Sequence, residues 1–317
     1  MNREFHYYIV RLVAGRAGLR GEDLRRFAYS SQFVDDNTRE YNIHYHYCDF
    51  SNQMFINPIS QTMLPDAKGE TIYKTFHFVP GDSNSSSKRK DGRVDPLTVT
   101  PDNDSVNRMI DYACSTGNIY LMGIAAHAFT DSWAHQNFTG EWGHFNGEAN
   151  MPSVGHMLEG TKPDRIAAVW HDRRLIDDRI VNVDRFLDAA IALFKKLFIF
   201  ANHNYDDEYL DRESLSLRND LLLAVGQRDD EDLFLNDRLA RYKQLALTKP
   251  YGGIELPNYN KDEWFDAIVK KTIGTCNSHN SSGTPKIRYF FLRNYKNSDW
   301  HLFQSSLFKL LIWSARN

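Results

Sequence analysis

Apolar residues recur at helical spacing along most of the chain, and this pattern predicts a mainly helical fold. The predicted helices cover residues 5–17, 22–36, 104–114, 117–138, 180–203, 208–225, 229–247, 261–273 and 298–315. In residues 41–103 the apolar residues follow neither helical nor strand-like spacing for long. Within them the alternation at 44–47 is typical of a strand, residues 74–82 suit a short extended piece, and residues 83–93 suit a surface loop.

No repeat or linker divides the sequence. We therefore predict an all-α fold, a single multi-helix domain over residues 1–317 with a long loop insertion after the second helix. A structureless connection of this length is unusual and indicates a functional role.

The helix at 117–138 is apolar nearly all round, which is typical of a buried helix. His127, Asp131 and His135 follow one another at intervals of four residues and therefore lie on one face of it. Two imidazoles and a carboxylate form a ligand set typical of zinc. The alternative is a hydrogen-bonded His–Asp pair in the core, with His135 capping the helix end.

Further histidines and an aspartate fall at positions predicted to face the core or to border the same helix: His6, Asp35, His77, His144 and His156. On the second helix Asp35, rather than Asp36, shares a face with Leu24 and Ala28 and should point inward. Each of these residues alone is typical of a structural role. Together they would supply ligands for two or three ions, because a metal in a catalytic site needs about three protein ligands.

Composition excludes several classes of function. The 317 residues are 42% hydrophobic and 25% charged with a net charge of −3, so we expect no attraction to duplex nucleic acid. The three cysteines lie far apart and form neither a disulfide framework nor a thiolate zinc site. The sequence shows no N-terminal signal peptide and no apolar run long enough for a transmembrane span. We expect a cytoplasmic protein, or one exported without such a signal.

The segment GIAAHAFTDSWAHQNF resembles the signature helix of the zinc-dependent phospholipase C and single-strand nuclease superfamily. It is more similar still to bacterial and fungal relatives that read HxxxDxxxH. FHYY and AYSSQFVDD near the start resemble the N-terminal histidine and first aspartate of these relatives, and GHMLEGTKPD at 155–164 resembles their GH…PD segment. The resemblance spans residues 5 to about 170 and leaves the C-terminal helices at about 180–317 uncovered.

The resemblance implies a helical fold around a zinc cluster that hydrolyses phosphate esters. Carried over by position, it implies seven ligands, with Asp131 bridging two ions: His6, Asp35, His77, His127, Asp131, His135 and His156. Three departures reduce the expected number of ions to two. Only three residues separate Asp131 from His135, where the best-known enzymes have five. Glu159 follows His156 by three residues instead of four, and Met1 stands where those enzymes begin with a ligating tryptophan.

We expect a metal-dependent phosphoric ester hydrolase, with phospholipase C-like cleavage of a phosphodiester at a two-zinc centre. A phospholipid is one candidate substrate. Asp35 would orient the attacking water or accept its proton, and Asp131 would complete the catalytic pair. One alternative is a single-strand nuclease or phosphomonoesterase of the same fold. The other is a non-catalytic, metal-stabilised interaction domain.

Overall fold

The computed structural model describes residues 1–45, 53–62, 66–147, 151–202, 205–273 and 287–316. A π-helix, Glu4–Ile9, leads directly into the first α-helix. The ten α-helices in the described ranges are α1 Val10–Ala17, α2 Gly21–Asp36, α3 Ala67–Phe76, α4 Asp104–Ser115, α5 Ile119–Ala134, α6 Asn182–Ala201, α7 Asp207–Val225, α8 Leu235–Ala246, α9 Glu263–Asp266 and α10 Asp299–Ser314. The prediction of a mainly helical protein is confirmed.

The fold also contains two small sheets, so the prediction of an all-α protein is wrong in this respect. The larger sheet has the strand order β2-β1-β6-β5, formed by β1 Asn42–His44, β2 Met54–Ile56, β5 Val269–Ile273 and β6 Ile287–Phe291. β1 and β6 are parallel and the other two pairs are antiparallel. The smaller sheet pairs β3 Val169–His171 with β4 Arg179–Val181. The strand predicted at 44–47 overlaps β1 at His44, and residues 46 and 47 lie outside the described residues.

Two other local predictions are wrong. The helix predicted at 261–273 ends after one turn, and Val269–Ile273 continues as a strand because every residue pairs with β6. The extended piece predicted at 74–82 begins as the end of α3, a helix whose start is capped by the Asp66 carboxylate, which accepts from Gly69 N. Residues 41–103 are therefore not the structureless insertion that the pattern predicted.

Helix α5 is the centre of the fold. Every residue from Tyr120 to Ala134 is buried, as its apolar composition predicted, and α2, α4, α6 and α10 all pack against it. The main hydrophobic core draws residues from Met1 to Leu310. Gly123 allows a close approach of α2, because a Cβ atom there would lie 2.5 Å from Phe27 O. This contact joins the middle of α2 to the first half of α5, and one turn further along His127 Nδ1 donates to Ser31 O.

No helix within the described ranges has both the length and the apolar character needed to cross a bilayer.

Candidate metal centre

The structure brings all seven predicted side chains into one cluster at the C-terminal half of α5. They come from the π-helix, the last turn of α2, the end of α3, α5 itself and the loop after it: His6, Asp35, His77, His127, Asp131, His135 and His156. Helix α5 ends at Ala134, four residues earlier than predicted, and His135 is its C-cap residue. The amide of His135 still donates to Asp131 O over 2.8 Å, so the four-residue spacing keeps its helical geometry.

Four side chains form the first group: Asp35, His77, His127 and Asp131. His127 Nε2 lies 3.1 Å from His77 Nδ1, 3.1 Å from Asp131 Oδ2 and 3.6 Å from Asp35 Oδ1. His77 Nδ1 lies 3.2 Å from Asp131 Oδ2 and 3.8 Å from Asp35 Oδ1. With metal–ligand bonds of about 2.0–2.1 Å, ligand atoms around a tetrahedral zinc ion stand roughly 3.3 Å apart. The observed separations match that spacing.

Backbone carbonyls fix the orientation of four of the imidazoles. The hydrogen bonds run from His77 Nε2 to Ser60 O (2.8 Å), from His127 Nδ1 to Ser31 O (2.8 Å), from His135 Nδ1 to His77 O (2.7 Å) and from His156 Nδ1 to Gly160 O (2.9 Å). A carbonyl oxygen only accepts, so the facing ring nitrogen carries the hydrogen and the other nitrogen of a neutral ring has a free lone pair. Histidine ligands of metal ions are characteristically oriented in this way.

Asp164 organises a second group with His135 and His156. Its Oδ1 lies 3.3 Å from His135 Nε2, and its Oδ2 lies 3.3 Å from His156 Nε2. Both imidazoles therefore turn their free nitrogens toward one carboxylate. Asp164 was not among the predicted ligands, although it is the aspartate of the PD dipeptide in GHMLEGTKPD. That dipeptide was the signal for it.

His6 and the α-amino group of Met1 both contact Asp131, and the amino group also reaches Asp164 of the second group. His6 Nε2 is 3.0 Å from Asp131 Oδ1, and the His6 ring stacks on the His127 ring with 3.8 Å between centroids. The Met1 amino group contacts Asp131 Oδ1 and lies 3.3 Å from Asp164 Oδ1. His6 Nδ1 is buried and has no hydrogen-bond partner in the described part of the chain.

Burial and neighbouring charges shift the pKa values of the groups in the centre. Burial lowers the pKa of His6, and it lowers the pKa of His135 to about 4, so these rings are neutral at neutral pH. Burial also lowers the pKa of the Met1 ammonium, but Asp131 and the other carboxylates raise it more, to about 10. Burial raises the pKa of Asp35. Burial by itself would raise the pKa of Asp131, but His135, the Met1 ammonium and His127 hold that pKa well below its usual value.

The donor set fits zinc. Imidazole nitrogens and carboxylate oxygens are its usual ligands, and the potential groupings are His6–His127–Asp131, Asp35–His77–His127 and His135–His156–Asp164. His127 Nε2 belongs to two of these groupings but binds only one ion. Asp131 Oδ1 faces His6, whereas its Oδ2 faces His77 and His127, so its position suits the predicted bridging role. The residues present thus provide ligands for at least two ions.

A cavity of about 270 Å³ opens onto the centre. Asp35, His77, His135, His156 and Asp164 form its polar wall. Tyr73, Phe78, Val154 and Met157 form its apolar wall. A wider cavity of about 620 Å³ lies on the other side of the turn at 157–162 and is lined by Trp170, Arg173 and their neighbours. The smaller cavity is the one that reaches the clustered imidazoles, so we assign the candidate site to it.

The remaining candidate residues lie outside the centre or outside the described residues. His144 is exposed. Glu159 forms an ion pair with Lys162 at 3.1 Å. The His44 ring stacks on Phe290 in the larger sheet, and His46 is not among the described residues. The His171-Asp172 doublet, predicted to be a surface feature, has an exposed histidine but a buried aspartate that pairs with Arg174.

Comparisons with known proteins identify a family but no activity. No curated protein matches the sequence, and neither does any solved structure. The resemblance to the phospholipase C and nuclease superfamily therefore stays a hypothesis. One family model, described as "Family of unknown function (DUF6765)", matches residues 1–312. Since the match covers nearly the whole chain, the protein belongs to this family.

Proposed function

We propose that this protein is a zinc-dependent phosphoesterase that cleaves a phosphodiester, in the manner of phospholipase C, at the centre around Asp131. One observation carries the proposal: four imidazoles, each with its N–H on a backbone carbonyl, turn their free nitrogens toward three carboxylates. Burying that many acceptors without a cation would cost several kcal/mol, on the order of the cost of an unsatisfied buried polar group for each one. Bound metal ions would remove this cost.

Zinc bound there would lower the pKa of water and neutralise charge on phosphoryl oxygens, which is the chemistry that phosphate ester hydrolysis requires. Asp131 would hold the centre together, because its side chain is buried and its two oxygens face different imidazoles, those of His6 and His77. Asp35 is better placed for proton transfer. It lines the cavity with 24% of its side chain exposed, so a water molecule in the cavity can reach it. We assign to it the orientation of the attacking water or the acceptance of its proton.

The cavity surroundings favour an ester with an apolar portion. Its apolar wall is formed by Tyr73, Phe78, Val154 and Met157, and no lysine or arginine is among the described residues that line it. Met157, one of these lining residues, is 38% exposed. A phospholipid suits this environment better than an oligonucleotide, because binding of the other phosphates of an oligonucleotide depends on basic side chains.

The test combines metal analysis with a substrate panel. Protein purified without added metal should carry about two zinc equivalents, as a two-metal centre requires, and His127→Ala and Asp131→Ala should lose most of them. The protein should then hydrolyse phosphatidylcholine in mixed micelles, with single-stranded oligonucleotides and p-nitrophenyl phosphate tested in parallel. Hydrolysis of oligonucleotides or of the monoester alone would replace the lipid substrate by the nuclease or phosphomonoesterase alternative.

Two outcomes would reject the proposal. A well-folded wild-type protein without stoichiometric metal would end the metal-centre interpretation. Stoichiometric zinc without activity on any of the three substrates would favour the non-catalytic, metal-stabilised domain. In that case a chelator would lower the melting temperature although no activity is lost.

A further inference from the structure

We propose that Asn182, the first residue of α6, is a positioning residue for Asp164 and thereby sets the metal affinity of the His135–His156–Asp164 group. The inference rests on the proposed metal centre and adds to it a residue that contacts no ligand side chain. Asn182 lies outside the segment that resembles the superfamily, and its side chain is fully buried.

The amide group of Asn182 makes four hydrogen bonds. Its Nδ2 donates to Lys162 O and Arg165 O, both over 2.7 Å. Its Oδ1 accepts from Trp170 Nε1 over 3.0 Å and from Arg185 Nη2 over 2.6 Å. The indole nitrogen and the guanidinium only donate, so the amide cannot be turned over. The two carbonyls that receive its hydrogens stand on either side of Asp164.

Asp164 depends on this support because its own secondary structure is short. It is the last residue of a single 3₁₀ turn, Lys162–Asp164. Turns of this length have poor internal hydrogen-bond geometry. Its carbonyl oxygen accepts from Asn2 N over 3.2 Å. Arg185 donates two long hydrogen bonds, to Pro163 O (3.4 Å) and to Ala134 O (3.5 Å). Pro163 immediately precedes Asp164, and Ala134 immediately precedes His135.

The carboxylate of Asp164 must keep both oxygens at 3.3 Å from two different imidazoles. A small rotation of the turn would move one oxygen away from its partner. Since Asn182 ties both ends of the turn to the start of α6, we infer that it holds this orientation. Such outer residues typically change metal affinity by about 10–100-fold when they are replaced.

The experiment compares zinc binding in wild type, Asn182→Ala and Asn103→Ala by competition with a chromophoric chelator and by elemental analysis. We expect Asn182→Ala to weaken its most weakly bound zinc by about 10–100-fold. Asn103 is the matched control. Its buried amide also joins two backbone carbonyls, those of Val79 and Thr100, but neither adjoins a candidate ligand. Asn103→Ala should bind zinc as wild type does, even if its chelator-treated form melts at a lower temperature.

Wild-type zinc affinity in Asn182→Ala, with only a lower melting temperature of the metal-free form, would overturn the inference and leave a purely structural role. If Asn182→Ala does not fold, Arg185→Met decides, since it removes one donor to Asn182 and both bonds to the carbonyls before the ligands. Unchanged zinc affinity in the Arg185→Met variant would also overturn the inference. Absence of zinc from the wild type would instead reject the proposed function, so the two failures are distinguishable.

Discussion

His77 Nδ1 and His127 Nε2 lie 3.1 Å apart, and each is the ring nitrogen left free by a hydrogen bond from the opposite nitrogen to a backbone carbonyl. If both rings are neutral, two lone pairs face each other. One cation between them removes the repulsion. Without metal, a proton on His127 would meet this need, and its surroundings favour one: burial lowers the pKa of His127, but Asp131 and Asp35 raise it above its usual value. A zinc ion at the same point would bind both nitrogens.

Metal removal should destabilise the fold. The candidate ligands come from segments between His6 and Asp164, so bound ions cross-link parts of the chain that are distant in sequence. Binding at a concentration 1,000 times the dissociation constant stabilises a protein by about 4 kcal/mol. We expect a chelator to lower the melting temperature by several degrees and zinc, but not magnesium, to restore it. An identical melting curve in chelator would contradict this prediction.

Replacing His77 by alanine should remove about one zinc equivalent, because its Nδ1 is one of four closely spaced donors. His171→Ala is the control, since this exposed imidazole pairs with Asp178 away from the candidate ligands. Elemental analysis of the two variants, purified in parallel, gives the comparison. Equal zinc content in both would remove His77 from the ligand set.

Asp35 and Asp131 should differ in what they contribute. Asp131→Asn should lose most of the zinc, because both of its oxygens face candidate ligands. Asp35→Asn should retain more zinc but lose about 10²–10⁴-fold in turnover, the usual contribution of a general base. Asp36→Asn changes the adjacent carboxylate, which pairs with Gln32, and should keep both properties. A fully active Asp35→Asn variant would assign proton transfer to another group.

Gly123→Ala should destabilise the protein and weaken zinc binding together. The new methyl group would lie 2.5 Å from Phe27 O and 2.6 Å from Ser30 Cβ, so α2 must move away from α5. Overpacking of this kind typically costs about 1–3 kcal/mol. The same movement would separate Asp35 on α2 from His127 on α5. Gly143→Ala, whose Cβ meets no atom within 4 Å, is the control. Urea denaturation and chelator competition measure the two effects, and unchanged values in Gly123→Ala would refute the close contact.

A buried ion pair holds the π-helix that carries His6. Arg238 on α8 donates to both Glu4 oxygens, at 2.7 and 3.0 Å, and both side chains are about 1% exposed. Arg238→Met alone should cost about 3–5 kcal/mol, because it leaves the buried carboxylates of Glu4 and Asp229 without the guanidinium they share. The double variant Glu4→Leu/Arg238→Met should recover part of that loss in denaturant titrations. Additive effects of the two substitutions would show that the pair is not coupled.

The sequence by itself determined the parts of this protein that depend on local spacing. Helix α5 is buried all round because nearly all its residues are apolar, and the four-residue interval places His127, Asp131 and His135 on one face wherever the helix packs. The inward position of Asp35 on α2 follows from the same periodicity. These are properties of one helix and need no knowledge of its partners.

Only the tertiary structure decided the features that depend on distant partners. Val269–Ile273 has a pattern that is compatible with a helix, and pairing with β6 made it a strand. Asp164 lies in a short turn without periodicity, so its place beside His135 and His156 depends on how the loop returns to α5. Asn182 is a polar residue, and it is buried because α6 begins beside that turn. The local sequence pattern determines which face of its own helix a residue lies on. Packing between distant segments determines which residues it contacts.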